Sequence, residues 1–68
     1  MDQAEDLLMI KIFREIEKKV KELEEMRIVA QTGEIIYRQK GELHTADRFR
    51  KAEKGIQEAI RILADSSL

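Results

Sequence analysis

The sequence predicts an all-α fold: a helical hairpin of two long helices with a short central helix or β-hairpin between them, assembling into an oligomeric helical bundle. Three observations carry this. Apolar residues recur at helical spacing in two separate stretches. Proline is absent, so nothing interrupts a long helix. The middle of the chain carries more apolar surface than one partner helix can cover.

The first helix is predicted over residues 3–26. Met9, Phe13, Ile16, Val20 and Leu23 follow one another at steps of four and three, a stripe over two heptads. Leu8 and Ile12 widen it on one side. The remaining faces are charged, with i,i+4 pairs at Glu15–Lys19, Glu17–Lys21, Lys18–Glu22 and Lys21–Glu25, each worth about 0.2–0.5 kcal/mol. Asp2, Glu5 and Asp6 suit the positive end of the helix dipole.

The last helix is predicted over residues 46–64, followed by a tail at 65–68. Phe49, Ala52, Ile56, Ala59 and Leu63 form its stripe, with Ala46 and Ile60 beside it. Thr45 is the expected N-cap and Asp47 lies in the first turn. Gly55 costs this helix about 1 kcal/mol against alanine, which a close helix crossing would explain.

Residues 27–44 form the central element and turn, and three readings compete there. Met26, Ala30, Gly33 and Tyr37 continue the first stripe, which would carry the helix to about Lys40 with Gly41 as its C-cap. Gly33 would instead end the first helix and start a short second one. A β-hairpin would pair residues 28–31 with 34–37 around Thr32-Gly33. Ile28, Val29, Ile35 and Ile36 favour strand, but threonine is a poor first residue for a type I′ turn. The helical reading is preferred.

As a helix, the central segment is apolar on several sides, and a 68-residue chain has too few elements to cover it. The first helix would be about 36 Å long even if it ended at Met26, against about 28 Å for the last. The overhang exposes Leu7, Leu8, Met9 and Ile12. A homodimer or higher oligomer follows, with an antiparallel two-fold dimer as the simplest form. The competing arrangement is a monomeric three-helix bundle, with the first helix folded back on the middle segment. The residues assigned to self-association are Leu8, Ile12, Met26, Ile28, Val29, Ile35 and Ile36. So small a chain is marginal alone, and without cysteine it has neither disulfides nor thiolate metal ligands.

Chemistry-bearing patterns are absent. His44 is the single histidine, expected in the loop and without triad partners, so no catalytic residue is assigned and no enzyme is expected. No Glu-x-x-His pattern accompanies the many glutamates, and neither glycine phosphate motif occurs, so no metal or cofactor is expected. No apolar run approaches the length needed to span a bilayer, and a cytoplasmic location without membrane partners is expected.

Charge is unevenly distributed. Residues 27–54 carry a net +3 and residues 1–26 a net −3, within a total of −1. Arg38, Lys40, Arg48, Arg50, Lys51 and Lys54 are the candidate nucleic-acid contacts. The competing reading pairs this basic face with the acidic first helix of the same or another chain. Residues 37–46, from Tyr37 through Gly41 and Leu43 to Ala46, are similar to the inter-helix part of a tetratricopeptide repeat. They lack its Gly-x-x-Tyr and Ala-x-x-x-Phe spacings, and no second repeat follows. What the resemblance implies is a helix–turn–helix hairpin and no family membership. The function expected is that of a small self-associating adaptor, regulator or assembly subunit acting by protein–protein interaction. The alternative is a small nucleic-acid-binding regulator.

Overall fold

In the computed structural model, which describes residues 3–66, the chain forms two α-helices: α1, Gln3–Gln39, and α2, Leu43–Ser66. α1 is one unbroken helix of 37 residues, about 55 Å long. No separate central helix and no β-hairpin forms at residues 27–44, and the fold-back required by a three-helix monomer is absent with them. The reason is local. β-Branched residues cost a helix only a few tenths of a kcal/mol each, and strong helix formers flank these on both sides. The Thr32 hydroxyl donates to the Ile28 carbonyl at 2.8 Å, and Arg38 reaches back to Glu34 at 3.3 Å across the next turn. Gly33 therefore sits inside the helix.

Gly41 ends α1. Its φ of 80° lies in the left-handed region, where glycine carries no Cβ penalty. Its N–H donates to the Arg38 carbonyl at 3.1 Å, and the Glu42 N–H donates to the Tyr37 carbonyl at 2.9 Å. These are the two bonds of a Schellman motif. The Ala46 N–H then donates to the Glu42 carbonyl at 3.0 Å, so Glu42 occupies the N-cap position of α2. This corrects the start expected at residue 46. Thr45 lies half-buried within the first turn and does not cap it, and His44 is an exposed helical residue. One residue serves both helix ends, which leaves no room for a separate loop. At the other end, Asp65 and Ser66 belong to α2 and not to a tail, with the Ser66 hydroxyl donating to the Ile62 carbonyl at 2.9 Å. The expected roles of Asp2, Ser67 and Leu68 lie outside the described residues.

The helices pack side by side. On α1 the side chains turned toward α2 are Phe13, Ile16, Val20, Leu23, Arg27, Ala30, Glu34 and Tyr37, at alternating steps of three and four. On α2 they are Ala46, Phe49, Glu53, Ile56, Ile60 and Leu63. The step of four from Leu23 lands on Arg27, so Met26 is exposed, and so are Met9 and Ala52 despite their apolar character. Only Ala30 and Ala46 are fully buried among the described residues. Around them small residues bring the backbones together. A Cβ on Gly33 would lie 2.7 Å from the Phe49 ring, which stacks on Tyr37 at a centroid distance of 5.5 Å. The Lys40 ammonium sits 5.3 Å from the Tyr37 ring centroid. The close crossing expected at Gly55 is not present, since a Cβ there meets nothing within 4 Å.

The ion pairs formed are not those expected from sequence. Within helices they join Lys19–Glu22, Arg27–Glu24, Arg38–Glu34, Arg61–Glu58 and Arg61–Asp65. Between helices Arg38 meets Asp47 at 3.4 Å. The bond from Arg61 holds the exposed Glu58 carboxyl below its ordinary range.

The three glycines give contrasting expectations in thermal melts at fixed protein concentration. Gly55→Ala stabilises by about 1 kcal/mol through helix propensity alone. Gly33→Ala gains the same propensity but drives a methyl into the Phe49 ring, and the net effect is destabilising by about 1–2 kcal/mol. Gly41→Ala costs about 1–2 kcal/mol for its left-handed backbone.

Candidate interaction surface

The hairpin measures 59 × 14 × 12 Å, with a radius of gyration of 16.8 Å, where a compact chain of this length has roughly 11 Å. Its accessible surface is 5692 Å², against roughly 4,450 Å² for a compact protein of this mass. The excess is about 1,200 Å², more than the ~800 Å² each partner contributes to an interface of standard size.

Much of that surface is apolar. The Phe49–Gly33 contact sets the level of the two helices. At 1.5 Å per residue, Ser66 then ends beside about residue 16 of α1. The first turns of α1 project roughly 20 Å past it. This projection carries apolar side chains on several sides: Leu7, Leu8, Met9, Ile10 and Ile12 are exposed by between 45% and 64%.

The structure divides the predicted self-association residues into two groups. Leu8, Ile28, Val29, Ile35 and Ile36 lie on the face of α1 turned away from α2, and all are exposed. Ile12 and Met26 share one heptad position and flank the α2-facing seam. Leu7 belongs with the first group and was not among the predicted residues. Its signal is the spacing: Leu7-Leu8, Ile28-Val29 and Ile35-Ile36 are adjacent pairs separated by multiples of seven. Ile10, Leu43 and Ile62 are further exposed apolar residues.

The basic candidates do not form one set either. Arg38 is held between Glu34 and Asp47, and Lys40 lies over the Tyr37 ring. Arg48, Arg50, Lys51 and Lys54 remain together on the outer side of α2, lining a shallow depression that His44 and Asp47 share. Arg38–Asp47 is the ion pair that bridges the helices among the described residues, so the acidic first helix does not neutralise this cluster within the chain. No group of three or more acidic or histidine side chains among the described residues is placed to hold a metal ion. No described helix is long and apolar enough to cross a membrane.

No protein-family model, known protein or solved structure matches this chain.

The exposed bridge at Arg38 contributes little to the fold. Arg38→Ala is expected to lower stability by less than about 1 kcal/mol in denaturant titration. Phe49→Ala, which removes the ring packed on Gly33 and Tyr37, is expected to cost about 2–4 kcal/mol in the same experiment.

Proposed function

We propose that this chain acts by association. It is a small self-associating helical protein, forming a coiled-coil bundle of two or more copies. It serves as an interaction adaptor, regulator or assembly subunit and carries no catalytic role. A cytoplasmic setting belongs to the same reading, which rests there on a cysteine-free sequence. The observation that supports it is the imbalance of burial. Among the described residues two alanines are buried, while twelve large apolar side chains are exposed. Fully burying a large apolar side chain stabilises by about 1.5–3 kcal/mol, so covering many of these half-exposed side chains at once supplies energy to set against the ~4–15 kcal/mol that association costs. The alternating three-and-four spacing of the half-buried residues on both helices is the pattern of a coiled coil.

Sedimentation velocity at micromolar concentration is expected to give a dimer or larger species. Val29→Lys, on the exposed face, is expected to weaken assembly by at least about tenfold. A helical species that stays monomeric at tens of micromolar would defeat this reading.

A second reading is favoured by one observation: Arg48, Arg50, Lys51 and Lys54 form an exposed basic cluster that α1 leaves without acidic partners. As a nucleic-acid contact it predicts binding that weakens steeply as salt rises, with each phosphate contact adding about 0.7–0.9 to the log–log slope. Absence of any mobility shift with DNA or RNA at low salt would dispose of it.

A further inference from the structure

The outer face of α1 has a charged centre between its apolar ends, and the order of those charges specifies a partner. Reading along the heptad positions that point away from α2, Leu7-Leu8 is followed by Arg14-Glu15, then Lys21-Glu22, then Ile28-Val29. Lys11, Lys18 and Glu25 run between them along the centre line. All of these side chains are exposed.

We propose that this face docks on the same face of a second copy, antiparallel, with the two-fold axis at Lys18. The proposal rests on the self-association reading above and adds its face, orientation and register. In this register Leu7 meets Val29 of the second copy, and Leu8 meets its Ile28. The charged centre line matches as well. Lys11 faces Glu25 there, and the two-fold repeats that opposite-charge pair, while at the flanks Arg14 and Glu15 each lie between Lys21 and Glu22 of the second copy. The projecting end of each α1 thereby lies against the Ile28-Val29 patch of the other. The contact runs from residue 7 to residue 29, about 33 Å of helix. α2 lies on the opposite side of α1, so nothing in the hairpin has to move.

The competing arrangements fit less well. A parallel pair aligns the apolar ends and brings Arg14 beside Glu15 and Lys21 beside Glu22, but it sets Lys11, Lys18 and Glu25 each against its own copy, three like-charge contacts on the centre line, where the helices are nearest. The antiparallel register has one, at Lys18. Sliding that register by one heptad sets Leu7-Leu8 on Ile35-Ile36 and Lys18 on Glu25, but it lays Arg14 and Glu15 over Val29 and Ile28. That removes charged groups from water without a partner, which is costly. Within its own helix Glu22 also holds Lys19, at 3.4 Å, in an exposed pair that is weak enough to yield.

The chain has no cysteine, so introduced thiols report the register directly. Under mild oxidation, Lys18→Cys is expected to cross-link to its own copy, since both residues sit at the axis within reach of a disulfide. Leu8→Cys alone is expected not to, and Leu8→Cys with Ile28→Cys is expected to link between chains. Lys11→Glu is expected to weaken the dimer about tenfold, and adding Glu25→Lys in the same chain to restore it. If the unmodified chain sediments as a dimer and Lys18→Cys cross-links no better than Leu8→Cys, this register is wrong while self-association stands. Efficient self-linking of Leu8→Cys would show a parallel pair and also overturn the proposal. A monomeric unmodified chain would overturn both readings.

Discussion

Two helices lying side by side touch along one line, and each buries only the stripe that faces the other. In this hairpin that stripe is the only internal interface, and everything else follows from it. Fully burying side chains needs neighbours on several sides. Among the described residues only Ala30 and Ala46 are buried. Phe13, Ile16, Val20 and Leu23 are covered on one side and open on the others. The hairpin thus holds its shape with a seam in place of a core.

The turn end of that seam is the best determined part. Gly41 closes α1 with a Schellman motif, Glu42 serves both helix ends, and Gly33 admits the Phe49 ring that stacks on Tyr37. The first two glycines therefore have separate purposes: one permits a left-handed backbone and the other a close approach. Away from the turn the two helices differ in length, 37 residues against 24, so the start of α1 extends past the described end of α2. Leu7 and Leu8 form one exposed apolar group there, and Ile28, Val29, Ile35 and Ile36 form another further along. Both lie on the side of α1 away from α2, and this shared orientation makes a second copy a natural cover for them.

The sequence on its own determined the helical class, the two stripes and the two-sided apolar character, because periodicity and the absence of proline act through local geometry. It favoured Gly41 as the end of the first helical run but left open whether Gly33 bends, caps or turns, and only the structure placed Gly33 inside α1. Other features became legible only in three dimensions. Whether Met26 or Arg27 faces α2 depends on the exact pitch at which two helices wind past one another, and a difference of one residue decides it. The start of α2 depended on Glu42 being shared between two helix ends, which no propensity encodes. The ion pairs also shifted from the expected i,i+4 set, since long charged side chains on a wet surface choose among neighbours of nearly equal energy. Above all, the tertiary structure decided that the exposed apolar pairs lie opposite α2. Sequence spacing places residues on a common face, but only the position of the second helix shows which face is left open.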